Sequence, residues 1–278
     1  MKKGRRISVG RILGLIILAI YTIAIAFPLY TTIISGFKDI NDVFTIPPKL
    51  VPYLDFKPTL KPFIWIFSTR AGRTFIDSLI CSVSSTALAV GFGFLSAYAY
   101  SRYPYLRGNG EGSFFFLLTL RMFPPVAAAL PVYLYWSYLG LYDSYPALIW
   151  TYTIFNIPLT VWLLRGFLDE IPKSLEDAAL VDGMTTWQSF RKIVFPLLGA
   201  GLAATVALTW VFVWNEFLFA LKLAGNRVLT YTALLPQMRV GQRVQWNNIA
   251  GIGSIAVIAP IIILILFRKY VVRLYMAR

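Results

Sequence analysis

Few residues in this 278-residue chain can do chemistry, and their positions narrow what it does. Histidine is absent, which removes the commonest metal ligand and general base. The single cysteine, Cys81, stands in an apolar run, so neither a disulfide framework nor a metal site is expected. No pair of carboxylates falls inside an apolar run, and the chain is read as a non-enzyme. A G-x-x-x-x-G-K-[ST] loop, the backbone cradle for nucleotide phosphates, is also missing. What remains is one polar segment, SLEDAALVDGMTTWQSFRKIVFPL (Ser174–Leu197), and two isolated charges, Arg121 and Glu216, within apolar sequence.

The elements that carry these residues are membrane helices. Hydrophobic residues make up 58% of the chain and charged ones only 14%, against about 25% charged in a soluble domain. Six stretches have the roughly 20 mostly apolar residues that a crossing helix needs: Ile12–Ile34, Phe75–Tyr100, Ser113–Tyr138, Pro146–Leu164, Pro196–Leu221 and Ile249–Phe267. They are too long and too continuously apolar for the alternating strands of an outer-membrane barrel. The first run follows MKKGRRISVGR and contains Pro28 and bulky residues, so a retained helix is expected rather than a cleaved signal. The fold class is therefore an all-α membrane protein with six transmembrane helices. The whole of 1–278 is expected to be a single transmembrane domain.

The excess of 26 Lys+Arg over 12 Asp+Glu does not point to nucleic acid, because the bases punctuate apolar runs instead of forming one face. Basic residues near span ends set orientation. With the N-terminus inside, fifteen fall on the cytoplasmic side and ten outside, with Arg121 within the third span. Both termini are then cytoplasmic. The proline-rich loop 38–74 and the loop Lys222–Asn248 lie outside, and the loop 165–195 lies inside.

In that inner loop, Ser174 with Asp177 three residues on resembles a capping box, and Thr185 with Gln188 forms a second. Gly183 suits the left-handed position that ends helices. A short helix, a tight turn and a second helix up to Pro196 are predicted. Ala178 and Ala179 would allow another backbone close approach, as a docking knob; the segment could equally be an interfacial helix that ties two spans together. Five acids against three bases between Asp169 and Lys192 argue against a DNA-binding helix-turn-helix.

Asp177-Ala178-Ala179, Gly183, Ile193 and Phe195-Pro196 stand at the spacing of the signature loop of ABC importer permeases: Glu-Ala-Ala, three residues, Gly, nine residues, Ile, one residue, Leu-Pro. Asp replaces Glu and Phe replaces Leu. Together with YTIAIAFPLY, AYAYSRY, RMFPP and WNEFLFAL, the chain resembles the maltose-type carbohydrate permeases of binding-protein-dependent import systems. The resemblance implies the type I importer permease fold in a bacterial cytoplasmic (inner) membrane. It implies that Glu176, Asp177, Ala178, Ala179, Asp182 and Gly183 couple to a separate ATPase. The implied partners are a second homologous permease subunit, an ATP-binding subunit dimer and an extracytoplasmic substrate-binding protein, with a sugar, oligosaccharide or polyol as cargo. ATP and Mg would bind the partner ATPase, and no cofactor is expected on this chain.

The alternative is an ion-coupled secondary transporter or channel. Such proteins usually carry acids within their spans. Glu216, 20 residues beyond Pro196, lies roughly 30 Å along a helix and so near the outer interface. It is more simply a solvated or paired end-of-helix acid than a proton relay. Arg121 is a costly charge at its depth unless it faces the bundle interior or water. Pro124 and Pro125 follow it and should break the helix. Either Arg121, Met122, Pro124 and Pro125 line a translocation path, or a packing kink lets Arg121 reach the interface. Tyr98, Tyr100, Tyr138 and Trp150 read as interfacial belt residues. Gln237, Arg239, Gln242 and Arg243 in the outer loop are candidates for contact with the binding protein, or part of a plain solvated loop.

Overall fold

The computed structural model describes residues 9–103, 112–240 and 243–276. Among them run α1 (Val9–Gly36), α2 (Ile40–Val43), α3 (Lys61–Ser68), α4 (Arg70–Arg102), α5 (Gly112–Met122), α6 (Pro125–Tyr138) and α7 (Tyr145–Asp169). Then follow α8 (Lys173–Val181), α9 (Thr186–Ser189), a π-helical turn (Phe190–Val194), α10 (Phe195–Leu197), α11 (Gly199–Trp214), α12 (Leu218–Leu223) and α13 (Tyr231–Leu234). A two-residue antiparallel hairpin, β1 (Arg239–Val240) against β2 (Arg243–Val244), precedes α14 (Trp246–Met276).

Among the described residues, α1, α4, α7 and α14 are each long and apolar enough to cross a membrane. The two remaining expected spans are present but broken. Helices α5 and α6 meet at 87°, and Thr186–Leu197 meets α11 at 69°; counting each bent pair once brings the spans to six. The first break lies where the sequence predicts it. Pro124 and Pro125 cannot donate to the helical ladder, and Pro124 is extended (φ −65°, ψ 119°) at the N-cap of α6. The expected span Pro196–Leu221 needs correction at both ends. Pro196 has no N–H and its ring crowds the carbonyl four residues back, so the helix widens to a π-turn just before it. At the far end α11 stops at Trp214, and the Asn215 side-chain amide folds back to donate to the Val211 carbonyl (2.9 Å). The helix restarts as α12.

The chain forms two compact units. One comprises Met1–Ala71 and Met238–Val257. Within it α1 and α14 approach backbone to backbone: a Cβ on Gly36 would lie 3.1 Å from the Gly251 Cα. The proline-rich loop of this unit is ordered by Asp55, whose carboxylate accepts from the Leu50 and Val51 N–H groups (2.9 and 2.8 Å). Lys38 is buried with its ammonium 5.2 Å from the centre of the Phe56 ring. Desolvation pushes its pKa below the ordinary lysine value, against the opposing pull of Asp42 and Asp55.

The other unit comprises Gly72–Gln237 and Ile258–Arg278. Its core is made where α7 packs against α4 and α11. Apolar burial gives little drive to helix pairing in lipid, so small residues and interhelical hydrogen bonds do the work. Gly93 on α4 leaves no room for a side chain, since its Cβ would sit 1.9 Å from the Thr160 Oγ1 of α7. That hydroxyl donates across to the Ala89 carbonyl (2.9 Å). Ser85 donates to the Ile149 carbonyl one turn further along (3.1 Å). On the opposite side, Gly201 of α11 gives space to the Phe167 ring.

Candidate functional site

The polar segment forms a helix–turn–helix of short elements on the unit just described. Helix α8 begins two residues earlier than expected, with Pro172 at the N-cap and no side-chain cap. The capping box on Ser174 is therefore not made. Pro172 supplies the extended backbone (ψ 127°) that a cap needs, which leaves Ser174 exposed within the first turn. The end of the helix follows the sequence closely. Gly183 has φ +86°. The Gly183 N–H donates to the Leu180 carbonyl (3.1 Å) and the Met184 N–H to the Ala179 carbonyl (3.0 Å), which is a complete Schellman closure. The Thr185–Gln188 capping box is present in both directions, at 3.2 and 2.9 Å.

The structure divides the six expected coupling residues into two sets. Glu176 and Ala179 face inward, whereas Asp177, Ala178, Asp182 and Gly183 are exposed. The Glu176 carboxylate is ion-paired to the buried Arg102 Nε at the end of α4. It also accepts from the Tyr98 hydroxyl (2.8 Å). Arg102 extends the network through Nη2 to the Ile171 carbonyl (3.1 Å) and Nη1 to the Ser101 hydroxyl (2.9 Å). Ser101 in turn donates to Asp169 at the end of α7 (2.5 Å). Tyr98, expected as a belt residue, thus has a specific internal partner. The outward side combines the two acids with apolar groups left in the open: Leu180, Trp187 and above all Val181, which is 88% exposed. Trp187 is held flat against Phe190 (5.3 Å, 19°).

A second site lies where the broken span meets α7 and α12. Arg121, Phe123 and Pro125 line a cavity of about 330 Å³, and Met122 and Pro124 do not. Facing them are Tyr152, Phe155 and Asn156 of α7, with Phe212, Glu216 and Phe219 completing the wall. Arg121 turns toward α7. Its Nη1 donates to the Phe155 carbonyl (2.8 Å) and reaches the Asn156 Oδ1 at 3.5 Å. Its guanidinium lies 5.2 Å from the centre of the Phe212 ring, within cation–π range. The Asn156 amide is fixed by donating to the Tyr152 carbonyl (2.8 Å). Pro158 removes one N–H from the ladder of this same turn of α7.

Glu216 is an end-of-helix acid, as the sequence suggests, but among the described residues it is held by backbone N–H groups and not by a cation. Its two oxygens accept from the Phe219 and Ala220 N–H groups (2.8 and 3.0 Å) and so cap α12. Tyr152 and Asn156 could not be picked out from the sequence, because they sit within an apolar run whose inward face has no marker.

In the segment after α12, Asp143 (φ 57°) accepts from the Arg227 and Val228 N–H groups (2.8 and 3.0 Å). Asp77 accepts from Leu229 N–H (3.1 Å) and the Tyr145 hydroxyl (2.7 Å). Further on, Gln237 is exposed, and Arg239 and Arg243 stand on the two hairpin strands. Gln242 lies outside the described residues.

Comparison with known proteins agrees with the resemblance read from the loop. Residues 89–277 match the family described as "Binding-protein-dependent transport system inner membrane component". The chain is 33% identical over 281 residues to the probable ABC transporter permease protein YurM of Bacillus subtilis, covering 98% of this chain and 89% of that one. It is 33% identical over 210 residues to the trehalose transport system permease protein SugB of Mycobacterium tuberculosis, covering 72% and 75%. In fold it is similar to a chain from the crystal structure of a bacterial ABC transporter involved in the import of the acidic polysaccharide alginate. The TM-score is 0.75 at 20% identity, over 97% of this chain and 99% of that one. The chain belongs to the family of inner membrane components of binding-protein-dependent transport systems, as a multi-pass permease subunit of the ABC type.

Proposed function

We propose that the chain is the permease subunit of an ATP-driven importer that moves a carbohydrate into the cytoplasm. In this reading α8 faces the cytoplasm, together with both termini, and seats in a separate ATP-binding subunit. The observation that carries the reading is the two-sided character of α8. Its inner side is tied by charge to α4, and through Arg102 and Ser101 to the end of α7, while its outer side leaves Asp177, Ala178, Val181 and Asp182 exposed. An interfacial helix that served only as a tether would not need a buried ion pair to hold its orientation. Because α8 is coupled to the ends of two spans, a push from a closing ATPase would be transmitted to those spans. A two-state permease would then be biased between inward-open and outward-open forms.

The cavity around Arg121 lies on the translocation path in this account. A second permease subunit completes the path, and a loaded substrate-binding protein delivers cargo from outside, with Gln237, Arg239, Gln242 and Arg243 as its candidate contacts. Carbohydrate cargo is supported by the relatives named for trehalose and for trehalose/maltose transport. Ion coupling through Glu216 is disfavoured because both oxygens of that acid are engaged in capping. ATP and Mg belong to the partner subunit.

Gly183 gives the test. A Cβ there meets nothing within 4 Å, so a substitution acts through the positive φ alone. Gly183→Val should cost about 1–2 kcal/mol of local conformational energy and shift the turn that presents Asp182 and Trp187. Loss of ATPase co-purification with membrane insertion intact is expected; unchanged ATP-driven uptake would count against the docking assignment.

A further inference from the structure

We propose that the Arg121 cavity is a subsite for one ring of a neutral saccharide in transit, and that Tyr152, Arg121 and Glu216 select it. The proposal rests on the transport reading and adds the size and charge class of what passes. At about 330 Å³ the space is at the lower end of small-molecule sites and has room for a pyranose ring. A longer saccharide would present its rings here in sequence.

Three observations set the chemistry. First, the Tyr152 side chain is 2% exposed, and among the described residues its hydroxyl makes no hydrogen bond of ordinary length, having only a loose contact with the Glu216 carboxylate that lines the same cavity. A buried phenol held only by a loose contact is costly, and at the wall of a cavity an entering hydroxyl completes its bonding. Second, the cavity carries one group of each sign. Arg121 has no carboxylate within ion-pair distance among the described residues, and Glu216 has no cation. An anionic ligand is therefore opposed by Glu216 and a cationic one by Arg121, whereas hydroxyls donate to one and accept from the other. Third, the rest of the wall is aromatic, with Phe155 tilted against Phe219 at 4.5 Å. A pyranose, with apolar C–H faces and a rim of hydroxyls, matches a site of mostly apolar surface and few polar groups.

The test uses the full chain in lipid nanodiscs and saturation-transfer NMR. The probes are methyl α-glucopyranoside, with glucuronate and glucosamine as its charged counterparts. The neutral glucoside should bind with an affinity on the order of millimolar and both charged sugars more weakly. Tyr152→Phe removes the hydroxyl and its loose contact with Glu216, so thermal stability should change little. Glucoside binding should fall about two- to tenfold, the worth of one neutral hydrogen bond. Equal glucoside binding by Tyr152→Phe, tighter binding of either charged sugar, or no glucoside binding by the unmodified chain would each overturn the proposal. A parallel uptake assay on the complete transporter keeps the two readings apart. If ATP drives uptake while the subsite results fail, only the subsite is lost; if ATP drives none, the transport reading itself is wrong.

Discussion

Replacing Glu176 by alanine removes the only carboxylate found against the Arg102 guanidinium among the described residues. The two side chains are 9% and 7% exposed, respectively, so water cannot readily take the place of the lost partner. Removing one member of a buried ion pair typically costs about 3–5 kcal/mol, because the remaining charge stays buried and uncompensated. Arg102 would keep its bonds to the Ile171 carbonyl and the Ser101 hydroxyl, which pulls the figure toward about 3 kcal/mol. The Tyr98 hydroxyl would also lose its acceptor, a further loss of about 1 kcal/mol. Asp177 is adjacent in sequence and exposed, so Asp177→Ala should stay within about 0.5 kcal/mol of the parent chain. The assay is chemical or thermal unfolding of the purified chain in detergent, paired with retention of the ATP-binding subunit on a column. Glu176→Ala should destabilise the chain itself, while Asp177→Ala should weaken retention without destabilising. Replacing both buried partners with apolar residues, Arg102→Met with Glu176→Leu, should recover most of the stability. If Glu176→Ala costs less than about 1 kcal/mol, or Asp177→Ala costs more than it, the assignment of inner and outer sides of α8 is wrong.

Two further predictions concern the loops. Asp143→Asn keeps the left-handed backbone but loses one of the two acceptors that hold Arg227 and Val228, at a cost of about 1.5–3 kcal/mol; hydrogen exchange at these two amides should speed up. For Lys38, burial lowers the folded-state pKa beneath the unfolded value, so between those two values the unfolded chain holds more protons. Stability must then rise as pH climbs through that window toward 10.5. Melting curves between neutral and alkaline pH should show this rise in the parent chain, and Lys38→Met should remove it while raising stability at neutral pH.

What could be read from the residues was what is decided locally. The Gly183 closure and the Thr185–Gln188 box are settled within six residues, and the Pro124-Pro125 break follows from two missing N–H groups. Ser174 misled because Pro172, two residues earlier, already supplies an extended cap. The end of α11 was missed because Val213, Trp214 and Phe217 keep the run apolar through the break. Contacts between distant segments left no trace. Glu176 finds Arg102 across 74 positions, and nothing in the loop distinguishes its inward acid from the outward Asp177 beside it. The cavity draws on α5, α6, α7, α11 and the start of α12, so Arg121 could be flagged as costly, but Tyr152 and Asn156 could not be named as its neighbours.

The central claim is that ATP, used by a separate subunit seated on α8, drives sugar import through this chain. Proteoliposomes that hold the chain with its partner permease and ATP-binding subunit, supplied with the loaded binding protein, test it most directly. The account predicts uptake of the bound sugar that requires ATP on the α8 side and survives collapse of the proton and sodium gradients. Uptake that follows an ion gradient and continues with the ATP-binding subunit left out would contradict it.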